Sequence, residues 1–130
     1  MIGLDTAALI DLYRGDESLK EALVLANEDL STTIMNYQEI FFGIDQTIDK
    51  YSGEIDFYDT LFSDMNILSF NIFSSKKASQ IFWNLKKKGN DVGRFDSIIA
   101  GIFIANGVNK IVTKNVKHFN RIPGIEVVGY

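Results

Sequence analysis

Apolar residues along the chain follow two spacings, and the alternation between them predicts the fold. Ile2 to Leu4 is a short, unbroken apolar run that stops at Asp5. TAALIDLY then carries apolar positions three and four apart, the spacing of one helical face, with Thr6 expected as its cap. Asp16 to Asn27 reads as a second helix, capped by Asp16, with Leu19, Leu23 and Ala26 on one face. STTIM is short and β-branched, a strand by that measure. From Asn36 to about Lys50 the apolar residues Ile40, Phe41, Ile44 and Ile48 predict an amphipathic helix. A further helix would turn Ile55, Tyr58, Leu61 and Phe62 inward. NILSF is the third strand. Ser74 or Ser75 is expected to open a helix that runs through Lys88 and stops at Gly89. Phe95 to Asn106 reads as a strongly apolar helix ended by Gly107. KIVT and IEVV complete the strands, separated by a loop that holds the only proline, Pro123.

Short strands separated by helices imply an α/β fold in which a mainly parallel sheet of about 4–5 strands is covered on both faces. In such sheets ligands gather beyond the carboxyl ends of the strands, near the point where strand order reverses. Asp5 directly follows the first strand and Asn115 follows KIVT, so both stand where a site is expected.

Length and composition narrow the picture. The 130 residues suit a single domain spanning 1–130. Absence of cysteine excludes disulfides and thiolate metal sites, and it suits a reducing cytoplasm. The start MIGLD has no basic segment ahead of an apolar one, so no secretory signal is expected. The longest uncharged apolar run, between Asp96 and Lys110, falls short of the about 20 residues a bilayer needs, so no membrane is implied. The net charge of -4 conceals an asymmetry: residues 1–75 hold three basic residues against 14 acids, and residues 76–130 hold ten against three. Such a basic half points towards a polyanion, or, more plainly, to solvated helix faces.

Three carboxylates interrupt apolar surroundings: Asp5 at the end of the first strand, Glu39 in MNYQEIFFGI, and Asp96 at the head of DSIIAGIFIA. Buried carboxylates are costly, and several together call for a counter-charge. A site of hard oxygen ligands with no histidine or cysteine partners selects magnesium or manganese over zinc. Each acid also has a plainer reading: Asp5 and Asp96 as helix caps, Glu39 as an exposed helix residue. His118 is the only histidine, which excludes the paired-histidine chemistry of metal-free ribonucleases, and no G-x-S-x-G, Walker or H-E-x-x-H motif is present.

Four motifs in order carry a family likeness. They are LDTAALIDLY; Tyr37-Gln38-Glu39-Ile40 with Gly43; Gly93-Arg94-Phe95-Asp96-Ser97-Ile98-Ile99-Ala100; and Ile111 to Phe119 followed by Ile122-Pro123-Gly124-Ile125. Over nearly its whole length the chain resembles PIN-domain proteins, and among them the VapC-type toxins of toxin–antitoxin pairs. The resemblance implies a PIN-like three-layer fold and a magnesium- or manganese-dependent endoribonuclease holding one or two ions. By matching position, Asp5, Glu39 and Asp96 become the metal ligands, with Thr6 and Thr113 as small polar neighbours. Many relatives carry a fourth acid where this chain has Asn115 or His118; Asn115 still offers a neutral oxygen. Arg94, Lys114, Lys117 and His118 would meet phosphate at the rim, and Phe95, Phe119 and Trp83 could stack on bases, a core role being the plainer reading for the last two. The implied partners are a single-stranded or tRNA-like RNA, a small VapB-type antitoxin and a second copy in a homodimer. The aromatic-rich stretch Tyr51 to Phe73 would serve an interface or the core. Two rivals remain: a PIN-like module that binds RNA or protein without cutting, and a receiver-like phosphoacceptor domain, whose paired acids before the acceptor strand are absent here.

Overall fold

The computed structural model describes residues 1–130. In chain order the elements are β1 (Ile2–Leu4), α1 (Thr6–Tyr13), α2 (Glu17–Ala26), β2 (Leu30–Thr33), α3 (Ile34–Phe42), a 3-10 turn (Asp49–Tyr51), α4 (Ser52–Ser63), β3 (Asn66–Leu68), α5 (Ile72–Lys87), α6 (Arg94–Ala105), β4 (Lys110–Val112), α7 (Val116–Phe119) and β5 (Glu126–Val128). Every strand pairing is parallel, and the sheet order is β3-β2-β1-β4-β5. The chain therefore builds outward from β1 on one side and returns to its other side with β4. The reversal falls between β1 and β4.

Local chemistry moves several element ends from where periodicity alone puts them. Thr6 is the first helical residue of α1, and Asp5 is the cap: its Oδ1 accepts the Ala8 N–H at 3.0 Å. STTIM does not stay a strand. The Thr33 hydroxyl oxygen accepts the Asn36 N–H at 3.2 Å and caps α3, which draws Ile34 and Met35 into the helix. The helix expected to reach Lys50 stops at Phe42, with Gly43 as its C-cap. Ile44 is buried just past that end, whereas Ile48 is 42% exposed. The apolar rhythm thus outlives the helix. α5 opens at Asn71, whose Oδ1 accepts from Ser74 N at 3.0 Å while Ser74 Oγ accepts from Asn71 N at 2.8 Å, a reciprocal capping box. α7 lies in the stretch expected to be loop.

Alternate residues of the central strands face two cores. Ile2, Leu4 and Val112 join Leu9, Leu19, Ile40, Tyr58 and Phe62 under α1 to α4. Leu68 and Ile111 join Ile81, Leu85, Ile99 and Phe103 under α5 and α6. Gly3 lies between Ile2 and Leu4 on β1, and a Cβ there would come within 2.5 Å of the Phe103 ring, so the absence of a side chain is what lets that ring lie on the sheet. Gly101 plays the same part between helices: a Cβ would come 2.7 Å from the Ala78 backbone N, so α6 crosses α5 almost backbone to backbone. The end of the chain is tied down by the Tyr130 hydroxyl, which donates to Asp11 at 2.7 Å. No helix is long and apolar enough to cross a membrane.

Candidate active site

Two loops leave the carboxyl ends of β1 and β4 side by side, and Asp5 and Thr113 are their first residues. Asp5 is buried and doubly held. Its Oδ1 caps α1, and its Oδ2 accepts a hydrogen bond from the Thr113 hydroxyl. Thr113 Oγ1 in turn accepts the Asn115 N–H at 2.8 Å, which fixes the loop that carries Asn115. Burial pushes the Asp5 carboxyl above its ordinary value, the hydrogen bonds from Thr113 and Ala8 pull it part of the way back, and the charge of Asp96 adds to the rise.

Asp5, Thr6, Glu39, Phe95, Asp96 and Asn115 line one pocket of about 210 Å³, floored by Ile99 and Phe119. Residues far apart in sequence thus meet at the point where strand order reverses, where an open α/β sheet places its ligands. The three acids do not form a ready-made cage: no group of three carboxylate or imidazole side chains stands close enough to hold an ion together. Each has a separate setting. Asp5 is turned to Thr113, Glu39 is exposed on α3, and Asp96 Oδ2 lies 2.9 Å from Nδ1 of His118. Asp96 is not the cap of α6, since that position belongs to Gly93 at a φ of 86°, a left-handed conformation suited to glycine. It sits in the first turn instead, where the helix dipole favours a carboxylate.

The sequence matches the PIN domain family over residues 2–125. The chain belongs to the PIN-domain family. It is 30% identical over 130 residues to ribonuclease VapC1 of Rickettsia felis, covering 96% of this chain and 92% of that protein. It is 25% identical over 125 residues to the tRNA(fMet)-specific endonuclease VapC of Salmonella typhimurium, with 95% and 93% covered. Among solved structures, VapBC2 from Rickettsia felis bound to a promoter DNA fragment superposes with a TM-score of 0.83 at 24% identity, covering 100% of this chain and 99% of that one. FitAB bound to a DNA fragment also gives 0.83 at 18% identity, with 99% and 94% covered, which is a likeness of fold. Within the family this PIN domain stands close to the VapC-type toxins.

The remaining residues expected at this PIN domain's site fall into different places. Lys114 is engaged elsewhere: its Nζ lies 3.0 Å from Asp11 and 3.7 Å from Asp16, and its charge sits over the Tyr130 ring. Lys117 is exposed, and Arg94 lines a neighbouring groove. Phe119 is a core residue at 1% exposed, in keeping with its plainer reading, but Trp83 is 55% exposed and not a core aromatic. In the stretch Tyr51 to Phe73, Tyr58 and Phe62 are core while Ile72 and Phe73 face solvent.

Sequence reasoning overlooks one residue. Asn36 is buried at 1% exposed, donates from Nδ2 to Thr6 Oγ1 at 3.0 Å, and accepts from the Thr33 hydroxyl at 2.7 Å. It bolts the start of α3 to the start of α1, and Glu39 follows it by one helical turn. The signal that could find it is an asparagine inside an otherwise apolar helix opening.

Proposed function

We propose that this PIN domain is an endoribonuclease that hydrolyses RNA phosphodiester bonds with an activated water. The observation that carries the reading is the convergence of Asp5, Glu39, Asp96 and Asn115 on one pocket at the switch point of the sheet. The donor set suits a hard cation in kind: all ligand atoms are oxygens, and the buried Asp5 already feels the charge of Asp96. A magnesium or manganese ion, one or two in number, held by Asp5, Asp96 and Glu39 would offset that repulsion and supply Lewis acidity to the attacking water and the phosphoryl oxygens.

The side chains divide the remaining work. Thr113 and the Ala8 N–H fix the Asp5 carboxylate in one orientation. His118 holds Asp96 from the outer side. Glu39, the most exposed of the three acids, takes the proton of the attacking water. Asn115 offers an amide oxygen where relatives often have a further acid. Arg94 and Lys117 meet the phosphate from the rim. Water attacks phosphorus, the bond to the 3′ oxygen breaks, and that oxygen leaves as a hydroxyl, so the products carry 5′-phosphate and 3′-hydroxyl ends. RNA as substrate follows the relatives described as ribonucleases. The VapBC relatives are toxin–antitoxin complexes, and by that likeness we place a small VapB-type antitoxin and a homodimer with this chain.

A second reading draws on the acids' separate partners: without a preformed three-acid cage the domain would bind RNA or a protein and not cut. Single-stranded RNA incubated with magnesium, manganese or chelator separates the two. Cleavage with either ion, lost in chelator and reduced at least about a hundredfold in Asp5→Asn, supports hydrolysis. Cleavage that survives Asp5→Asn sinks it, and binding without cleavage in every condition establishes the second reading.

A further inference from the structure

Beside the acidic pocket, between α5 and α6, runs a groove of about 330 Å³ walled by Phe70, Phe82 and Trp83 and bounded at one end by Arg94. We propose that this groove is a stacking site for a base of the single-stranded RNA whose scissile phosphate occupies the acidic pocket. The identity of the strand as RNA rests on the nuclease reading above; the groove's fitness for a polyanion with flat bases does not.

Three observations converge on it. The first is wasted aromatic surface. Trp83 is 55% exposed and Phe70 40%, and both line the groove. The second is uncompensated positive charge. α5 contains no acid and carries Lys76, Lys77, Lys86 and Lys87, with Lys88 as its C-cap, and none of these joins an ion pair; only Lys20, Lys110 and Lys114 among the lysines do. The Lys86 ammonium stands 5.2 Å from the Trp83 ring centre and 5.5 Å from that of Phe82, and the Arg94 guanidinium stands 6.0 Å from Phe82. Cations over partly exposed aromatic rings are how sequence-tolerant single-strand sites combine stacking with phosphate contacts. The third is proximity. Arg94, Ser97 and Ile98 line the groove from one face of α6, and Phe95, Asp96 and Ile99 line the acidic pocket from another, so a strand that crosses the first turn of α6 reaches both.

The rim charge decides between occupants. A second copy of this face would set lysines against lysines, and an uncharged apolar segment would leave those lysines without partners. A nucleic-acid strand satisfies the rings and the cations together. Ser75 and Ser79, also on the groove wall, supply hydroxyls for base edges.

Trp83 is the only tryptophan in the chain, so its emission reports on the groove directly. The wild-type protein is titrated in chelator, which prevents cutting, with an oligoadenylate of about 12 nucleotides, within the site sizes single-strand binders use. Saturable quenching is expected, weakened by salt. In Lys86→Glu the midpoint should rise about tenfold and the salt slope should fall by about 1, the signature of one lost phosphate contact. If the oligonucleotide binds by anisotropy or is cut once magnesium returns, yet Trp83 emission does not change, the groove proposal fails and the nuclease reading stands. Quenching without cleavage in any metal keeps the groove and removes the nuclease. Neither binding nor cleavage overturns both. Equal quenching by polyglutamate, or an emission that depends on protein concentration alone, overturns the proposal in favour of an acidic segment or a second copy.

Discussion

On the side of the sheet covered by α1 to α4, Tyr13, Tyr37, Phe41, Phe57, Tyr58 and Phe62 pack ring against ring with centroids 4.8 to 6.2 Å apart. On the side covered by α5 and α6, Phe82 and Trp83 meet edge to face at 5.5 Å and turn their open surface to Lys86. The charge asymmetry of the sequence maps onto this division. The side under α1 to α4 packs these six rings into one cluster, and the side under α5 and α6 leaves Trp83 exposed beneath Lys86. An aromatic residue is thus assigned by its neighbours and not by its type. The pocket lies where the two halves meet: one half brings Asp5, Thr6, Asn36 and Glu39, the other brings Asp96, Thr113, Asn115 and His118.

The sharpest way to break this contrast is to delete one ring from each side. Phe62, 8% exposed inside the ring cluster, should cost about 3–5 kcal/mol as Phe62→Ala. The measurement is the midpoint of urea unfolding. The contrast is wrong if Trp83→Ala, which should stay within about 1 kcal/mol of wild type in the same titration, costs as much. Asn36→Ala comes next. It strands the Thr33 hydroxyl in a buried site and removes the donor to Thr6, for a loss of about 1–3 kcal/mol. Because Asn36 also ties α3 to α1, cleavage in that variant should fall even at temperatures where circular dichroism shows it folded.

The smallest effect concerns charge. Burial raises the folded-state Asp5 value above that of the unfolded chain, so the folded protein binds the proton more tightly. Stability from this group is therefore full below the ordinary aspartate range, and is lost as pH rises through the raised folded value. In chelator, Asp5→Asn should melt above wild type by a few degrees at neutral pH, with the gap closing as pH falls below the aspartate range. Its amide can still accept from Ala8 and donate to Thr113. Manganese should raise the wild-type melting temperature and leave that of the variant unchanged. A gap that widens on acidification contradicts that sign.

The five strands and six longer helices were legible because periodicity and strand length are local signals, and the parallel sheet followed from their alternation. The ends were less so. Thr33 looks like one more β-branched strand residue until Asn36 folds back to its hydroxyl, and Ile44 keeps helical spacing past Gly43 because burial, not helix, holds it. For the site, motif order placed Asp5, Glu39 and Asp96 on one pocket. Motif order could not show that Lys114 is taken by Asp11 and Asp16, or that His118 is aimed at Asp96. Those are pairings across the sequence, visible only once β1, β4 and α6 stand together. Trp83 departs from its core reading because its neighbours one turn away along α5 are Ser79, Gln80, Lys86 and Lys87, while the buried face of that helix runs through Ser74, Ala78, Ile81 and Leu85.

Gly101 and Ala78 leave no slack between α5 and α6. Because the groove rides on both helices and Asp96 on the second, groove and pocket cannot drift apart without unpacking that crossing. The pair then acts as a ruler. A strand anchored by a stacked base would be cut at a constant number of nucleotides from it, and enlarging the residue at Gly101 would blur the spacing of the cuts before it abolished cutting.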